Sequence, residues 1–205
     1  MKPDLTDKNV KIEEVAKVAL EDTEFLSELI QNLKTKKETV RFNSSKALNL
    51  ISKNNPEVLY PEWDYFFDLL DGDNTYWKCS VIPLIANLTR VDRQKKFEIM
   101  FEKYFALMND RSFIPAAYVA KSAATIAKVK PKLRTKITEK LLGIDETRHD
   151  PQRRDLVKSD IIDAFNEYFE VAEDKKRIIE FVRQQLNCDS PKTRKTAAKF
   201  LNKWE

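Results

Sequence analysis

One pattern recurs along the chain at a nearly constant interval, and it limits the possible folds more than any other feature of the sequence. Five times, a short polar turn precedes a segment whose apolar residues recur every three or four positions. Equivalent positions in successive segments are 37, 37, 43 and 36 residues apart. The anchors of this comparison are Val40, Trp77, Ile114, Val157 and Thr193. A period near 40 residues is typical of arrays in which each unit contributes two helices.

An earlier amphipathic segment precedes each of these five. The second unit contains five apolar residues with the spacing of a single helical face, namely Leu59, Trp63, Phe66, Phe67 and Leu70. Similar faces occur in the other units, at Phe25 to Leu33, Phe97 to Met108, Leu133 to Ile144 and Ile178 to Leu186. The sequence therefore predicts an all-α protein of about five helix pairs.

We expect a single domain over residues 1–205, with units at residues 22–54, 55–91, 92–130, 131–172 and 173–205. The preceding segment, residues 1–21, contains an amphipathic stretch from Ile12 to Leu20 that we expect to form a helix capping the open end of the stack. The side chains expected in the core are those of Trp63, Phe66, Leu84, Ile85, Phe101, Phe165 and Leu201.

Residues that favour helix starts agree with this division. Asp150-Pro151 and Asn55-Pro56 each combine an N-cap residue with a proline at the first helical position. We expect Asp73 and Asp110 at the starts of the second helices of units two and three. The stretch from Gly143 to Arg153 is predicted to be the longest connection, which accounts for the 43-residue step.

Composition limits where the protein works. We identify no export signal, and the longest nearly apolar run, Val81 to Leu88, is far shorter than the about 20 residues that span a bilayer. Two cysteines, Cys79 and Cys188, are far apart and are expected to be reduced and buried. These features predict a soluble, cytoplasmic protein that does not enter membranes.

Residues that perform catalysis or bind metals are scarce. His149 is the only histidine, and its polar neighbours predict a solvated loop position. One histidine and two separated cysteines do not supply the clustered ligands of a zinc site, and two isolated glycines do not form a phosphate-binding loop. Chance pairs such as Asp160 and Asp163 are expected among 33 carboxylates. We therefore predict no catalytic, cofactor-binding or metal-binding residues and a protein that is not an enzyme.

The repeat pattern resembles the HEAT-repeat family, in which a polar turn leads into a second helix that opens with an apolar or β-branched residue and then a basic one. The corresponding pairs are Val40-Arg41, Trp77-Lys78, Val157-Lys158 and Thr193-Arg194, and the third unit departs with Ile114-Pro115. The resemblance covers Asp22 to Trp204 and implies a right-handed α–α superhelix. It does not define a function, because such arrays serve as adaptors, transport receptors, phosphatase scaffolds and DNA-repair enzymes.

The resemblance also implies a structural role for the basic residues. In the family, an aspartate of the turn often pairs with a basic residue in a ladder between neighbouring repeats. The candidate acids are Asp73, Asp110 and Asp189, and the candidate partners are Arg41, Lys78, Lys158 and Arg194. The alternative is that these basic residues face solvent and contact a ligand.

Some bacterial alkylpurine DNA glycosylases are built from similar repeats and use a carboxylate beside paired tryptophans. The present chain has Trp63, Trp77 and Trp204 and lacks a Trp-Trp-Asp cluster. Asp64 follows Trp63, but Trp63 belongs to the apolar face of its helix, so Asp64 is expected to point elsewhere. The resemblance to these enzymes is therefore confined to the repeats.

Charge is unevenly distributed along the chain, whose net charge is a modest +4. Asn54 to Trp77 contains six acidic residues and no basic one, whereas Lys121 to Lys140 contains seven basic residues and one acidic residue. The last unit contains nine basic and five acidic residues. These segments are either solvated helix faces or electrostatically distinct docking regions. Within the acidic segment, Tyr65 lies off the apolar stripe and is the candidate exposed anchor.

These patterns favour a protein-interaction scaffold that binds a peptide, helix or folded partner. The alternative is a HEAT-like nucleic-acid binder that uses the basic residues of Lys121 to Lys140 and of the last unit, and a DNA-repair glycosylase is one form of this alternative. The oligomeric state is left open. The candidate partner-binding residues are Arg41, Tyr65, Lys78, Lys121, Lys128, Lys158 and Arg194.

Overall fold

The computed structural model describes Lys2–Glu205, and this part of the chain is 79% helical and contains no strand. The prediction of an all-α protein is therefore confirmed. The α-helices are α1 Ile12–Glu21, α2 Thr23–Gln31, α3 Glu38–Asn54, α4 Pro56–Leu59, α5 Trp63–Asp68, α6 Thr75–Leu88, α7 Lys96–Ala106, α8 Phe113–Val129, α9 Arg134–Leu142, α10 Pro151–Tyr168, α11 Lys175–Gln184 and α12 Pro191–Trp204.

Long second helices follow shorter first helices, and most of the first helices end in the same way. Helices α2, α7, α9 and α11 each tighten into a short 3₁₀ turn at their C-terminus. The residue after each turn is extended, which ends the helix and turns the chain toward the next one. The four turns are Asn32–Lys34, Leu107–Asn109, Gly143–Glu146 and Gln185–Asn187.

Side-chain caps define where several second helices begin. Asp150 accepts a hydrogen bond from the backbone N–H of Arg153, as its N-cap position predicts. The cap of α6 is Asn74 and the cap of α8 is Ser112, so the expectation that Asp73 and Asp110 start these helices is wrong by one or two residues. In both helices a neutral polar side chain, rather than the aspartate, accepts the first-turn N–H.

Second helices α3, α6, α8, α10 and α12 begin 37, 38, 38 and 40 residues apart. This spacing is more regular than the sequence pattern predicts. The difference arises at Val157, because α10 begins at Pro151 and Val157 lies almost two turns inside it. The connection before α10 is also shorter than predicted, since the 3₁₀ turn Gly143–Glu146 occupies its first half.

The chain forms two compact units, one ending at Arg93 and the other comprising Gln94–Glu205. In the first unit, α1 packs against α3, and α3 packs against α6. Asn43 of α3 donates hydrogen bonds to the backbone oxygens of Leu5 and Asp7, at 3.0 and 2.9 Å, which ties the N-terminal segment to α3. The amphipathic stretch near the N-terminus does form a helix, α1, and Met1 of the predicted capping segment lies outside the described residues.

In the second unit, α10 packs between α8 and α12. The core of this unit is rich in aromatic rings in edge-to-face contact, such as Phe165 with Tyr168 and with Phe181. The hydroxyl groups of Tyr168 and Thr138 lie 2.9 Å apart, so the buried phenol has a hydrogen-bond partner.

The predicted core is confirmed in both units. Trp63, Phe66, Leu84, Ile85 and Phe165 are fully buried, and Phe101 and Leu201 are 3% and 8% exposed. Trp63 stacks on Phe67 at a centroid distance of 5.1 Å, and Asp64 is exposed, as the helical face of α5 predicts.

Three predictions about single residues are wrong. His149 is buried rather than solvated, and its Nε2 lies 3.0 Å from the backbone oxygen of Met108. Cys79 and Cys188, which were expected to be buried, are only half-buried. Leu186 is 38% exposed, because the chain has entered a 3₁₀ turn there and Gln185 faces the core in its place.

Candidate functional site

The basic segment from Lys121 to Lys140 is largely neutralised by carboxylates of neighbouring helices. Within the second unit, Lys121 and Lys128 of α8 pair with Asp160 and Glu167 of α10. Asp160 is buried and also pairs with Lys192 of α12, at 3.0 Å. The hydrogen bond from Lys128 lowers the pKa of Glu167. These side chains join adjacent second helices, so Lys121 and Lys128 act as links within the second unit.

Two further lysines of this segment are paired in the same way. Lys130 is buried and lies 3.0 Å from Glu98 of α7, and Lys140 lies 2.7 Å from Glu102. At least four of the seven basic side chains of the segment are therefore engaged by acids of the same unit. A surface that has lost this much of its positive charge attracts a phosphate backbone weakly.

Lys78 and Lys158, two candidate partner-binding residues, are each only 8% exposed. The ammonium group of Lys158 lies 2.9 Å from Asp145 and 3.2 Å from Asp155, so its acid partners are these residues rather than Asp189. The alternative in which these two lysines face solvent is therefore wrong. Their burial depends on residues of other elements, which the sequence pattern of one helix does not reveal.

Arg41 and Arg194 hold the turns that precede their helices. Arg41 donates to the backbone oxygen of Thr35 at 2.9 Å, and Arg194 donates to those of Cys188 and Asp189 at 2.7 and 3.0 Å. Each arginine is the fourth residue of its helix. In α10 the fourth residue is Arg154, which donates to the backbone oxygen of Asp145. Arg154, and not Lys158, is therefore the equivalent basic residue of that helix pair.

Tyr65 is half-buried, so the prediction of an exposed aromatic anchor at this position is wrong. Lys34 lies over its ring, 5.0 Å from the centroid, and also reaches the ring of Trp77 at 5.6 Å. Burial, reinforced by the nearby Glu62, raises the pKa of the Tyr65 phenol. The strongly exposed aromatic rings of the first unit are instead those of Phe42, 55% exposed, and Tyr76, 64% exposed.

Phe42 and Tyr76 belong to one surface, which we call the α3–α6 face. It comprises Arg41, Phe42, Lys46, Asn49 and Lys53 of α3, Tyr76 and Ser80 of α6, and Arg90 just after α6. The buried stripe of α3 runs through Val40, Ser44, Ala47, Leu48 and Ile51. Phe42, Lys46, Asn49 and Lys53 recur at spacings of three or four between those positions and so form a separate stripe.

Hydrogen bonds fix the register of α3 against α6 below this face. The amide of Asn49 donates to the backbone oxygens of Ser45 and Ser80, both at 3.0 Å. Farther along, Asn87 donates to Ser52 at 3.0 Å, and Arg90 donates to the backbone oxygen of Lys53 at 2.6 Å. The two helices therefore present their exposed side chains from a fixed support.

Cations lie over both exposed rings of the α3–α6 face. The guanidinium of Arg41 lies 4.9 Å from the centroid of Tyr76, and the ammonium of Lys46 lies 4.2 Å from that of Phe42. Each such contact stabilises an exposed side-chain conformation by about 0.5–1 kcal/mol. The rings and the cations are thus held together as a basic and aromatic surface.

Only Arg41 of this surface was among the predicted partner-binding residues, although the sequence contains a signal for the rest of it. Residues 34–53 contain six basic residues and a single acidic one, Glu38. Phe42 also interrupts the apolar spacing of its helix, which marks a large ring outside the buried stripe. This segment of the first unit is nearly as basic as Lys121 to Lys140, and an exposed ring distinguishes it.

Metal-ligating side chains do not cluster in Lys2–Glu205: no group of three or more His, Cys, Asp or Glu residues there is arranged to hold an ion. Helices that are both long and apolar enough to cross a bilayer are likewise absent from the described chain.

Comparison of the chain with protein-family models, with curated proteins and with solved structures found no match.

Proposed function

We propose that the chain is a HEAT-like array of helix pairs, wound as a right-handed superhelix, that binds a protein partner on the α3–α6 face. The protein acts as an interaction scaffold and not as an enzyme. The repeated succession of a short first helix, a 3₁₀ turn and a long second helix supports the repeat assignment. The observation that carries the binding function is the exposure of Phe42 and Tyr76 side by side with Arg41 and Lys46.

Exposed aromatic and arginine side chains are the residue types that contribute most binding energy at protein interfaces. Phe42 and Tyr76 are 55% and 64% exposed, so their apolar rings are in contact with water when no partner is bound. A partner that covers the two rings gains hydrophobic free energy, and polar groups around them give it orientation. The face therefore suits a protein or peptide ligand.

A nucleic-acid partner is the second candidate, and the charge distribution of the second unit disfavours it. A phosphate backbone requires several basic side chains that act together. Four lysines of Lys121 to Lys140 already pair with Asp160, Glu167, Glu98 and Glu102. Binding to phosphates would require these pairs to be broken, which lowers the net gain.

Affinity capture from native cell extract, followed by mass spectrometry, tests the proposal. The bait is the full chain, compared with the double variant Phe42→Ala, Tyr76→Ala. The matched control is Lys132→Ala, Lys136→Ala, which alters two exposed residues of the second unit. Parallel captures with and without nuclease identify partners that are held through nucleic acid.

We expect proteins that are captured by the wild-type chain and by the control variant but not by the Phe42, Tyr76 variant, regardless of nuclease. Loss of every captured protein after nuclease treatment would favour the nucleic-acid function. Identical capture by all three baits would show that the α3–α6 face is not the binding surface.

A further inference from the structure

The α3–α6 face has a nearly uniform sign of charge. Helices α3 and α6 together contain one acidic residue, Glu38, which lies in the first turn of α3. Lys46, Lys53 and Arg90 are exposed. Because the Arg41 guanidinium is also held at this surface by Thr35 and Tyr76, four positive groups lie along the two helices.

The two exposed rings lie within this positive surface. Phe42 lies one turn from Lys46 on α3, and Tyr76 is reached by Arg41 across the gap between α3 and α6. A ligand that crosses the two helices therefore meets apolar ring edges and ammonium or guanidinium groups within a few ångströms of one another.

We propose that the α3–α6 face binds an extended acidic segment of a partner protein, with carboxylates on Arg41, Lys46, Lys53 and Arg90 and one apolar side chain against Phe42 and Tyr76. This inference rests on the proposed function and adds the chemistry of the partner. Charge complementarity supports it, because a positive face with a single carboxylate accelerates and orients the docking of a negative chain.

The dimensions of the face define the length of the segment. Phe42 and Lys53 are eleven residues apart on α3, which corresponds to about 16 Å along the helix axis. An extended peptide covers this distance with about five residues. The binding segment is therefore short, with its apolar residue near one end and its acidic residues along the rest.

Two observations favour a peptide over a single-stranded nucleic acid. A base stacks on a ring face, and the cations of Arg41 and Lys46 already lie over the rings of Tyr76 and Phe42, whereas an aliphatic side chain can also pack against the exposed ring edges. In addition, the turn leading into α6 contains the exposed residues Asp71 and Asp73, within a stretch that has no basic residue. A phosphate backbone that continued past Tyr76 would meet this negative charge, whereas a short peptide ends before it.

Fluorescence anisotropy with synthetic ligands tests the inference on the full chain. The probe is a fluorescein-labelled peptide of ten residues with five Asp or Glu residues next to a Leu-Phe pair. The matched peptides replace the acids by Gln or the Leu-Phe pair by Gly-Gly. A labelled oligo-dT of similar length provides the nucleic-acid arm, and every titration is made at low salt and near 150 mM salt.

We expect the acidic apolar peptide to bind at low salt and to bind more weakly near 150 mM salt, since the charges are exposed. The Gln peptide should bind at least about tenfold more weakly. Lys46→Glu with Lys53→Glu should also weaken the acidic peptide at least about tenfold, whereas the matched pair Lys132→Glu with Lys136→Glu should change affinity less than about twofold.

The contribution of the two aromatic rings to affinity can be measured separately from that of the charges. Phe42→Ala with Tyr76→Ala should weaken the Leu-Phe peptide and leave the affinity of the Gly-Gly peptide nearly unchanged. All substituted residues are exposed, and thermal melting by circular dichroism verifies that each variant is folded.

Equal affinity for the acidic and Gln peptides overturns the inference. If capture from extract still depends on Phe42 and Tyr76, the protein-binding function survives with a partner of different chemistry. Tighter binding of oligo-dT than of the acidic peptide, lost in the Lys46, Lys53 variant, overturns both the inference and the proposed function.

Discussion

Single side chains stabilise this protein either as large buried rings or as charged groups that are paired under the surface. Phe165 is fully buried between Tyr168 and Phe181. Lys158 is only 8% exposed and reaches two carboxylates. The first kind of residue contributes through the hydrophobic effect and packing, and the second avoids the cost of an unpaired buried charge.

Truncating a buried ring should be costly. We expect Phe165→Ala to lower the free energy of unfolding by about 3–5 kcal/mol, because it removes apolar surface and leaves a cavity. Urea denaturation followed by circular dichroism measures this change. Ile99→Ala is the matched control, since Ile99 is 82% exposed and its loss should cost less than about 0.5 kcal/mol. A loss below about 1 kcal/mol at Phe165 would show that the core packing is loose there.

A buried phenol should make stability fall at alkaline pH. Burial raises the pKa of Tyr104 well above its ordinary value of 10.0. Above pH 10 the unfolded chain loses this proton while the folded chain retains it, so the free energy of unfolding decreases by up to about 1.4 kcal/mol per pH unit. We expect Tyr104→Phe to flatten that decrease between about pH 10 and 11, as measured by urea denaturation at several pH values. An unchanged slope would contradict the burial of the phenol.

Among the helices, several second helices are stabilised by a side-chain cap at their start or by an arginine that holds the preceding turn. Asp150, Ser112 and Ser190 accept first-turn N–H groups. Arginines at the fourth position, such as Arg41 and Arg194, donate to carbonyl oxygens of the turn before. Three second helices, α3, α10 and α12, thus secure the turn before them locally, and ion pairs join neighbouring second helices of the second unit.

Removing one such cap should have a measurable effect. Asp150→Ala should lower the free energy of unfolding by about 1 kcal/mol, because the N–H of Arg153 loses its acceptor. Asp150→Ser is the matched control and should retain most of the stability, since serine also caps helices. Equal losses in the two variants would indicate that the charge at Asp150, and not the cap hydrogen bond, is what stabilises α10.

Taken as a whole, the molecule consists of two compact units that are adjacent in sequence at Arg93 and Gln94. Lys95 follows directly and adopts a left-handed backbone conformation, with φ at 57°. Such a conformation is unfavourable for a residue with a side chain, and it separates the turn after α6 from the start of α7. Exposed segments at such boundaries are preferred sites of proteolysis.

Limited digestion with trypsin should therefore begin at this boundary. Arg93 and Lys95 are exposed, and we expect the first two fragments to separate there, as identified by mass spectrometry. Arg90 is an internal comparison, because it is also exposed but donates to the backbone oxygen of Lys53 within the first unit. Initial cleavage within α8 or α10 would show that the second unit is less stable than its packing indicates.

The helical character of the chain, the positions of most helices and the burial of most of its large rings could be predicted from local sequence. Trp63, Phe66 and Phe101 could be assigned to the core because helical periodicity acts over three or four residues and needs no knowledge of distant parts. The cap at Asp150 could be assigned for the same reason. The basic and aromatic α3–α6 face was visible in part, through the excess of lysine and arginine in residues 34–53.

The pairing of charges and the exposure of individual side chains, by contrast, depended on tertiary packing. Lys121 meets Asp160 because α8 and α10 pack in a particular register, although the two residues are 39 positions apart. Packing of the same kind buries Lys158 and His149, half-covers Tyr65 and leaves Phe42 in water. A side chain's environment depends on the helix that packs beside its own, and that packing is set by the sum of many small contact energies between distant parts of the sequence.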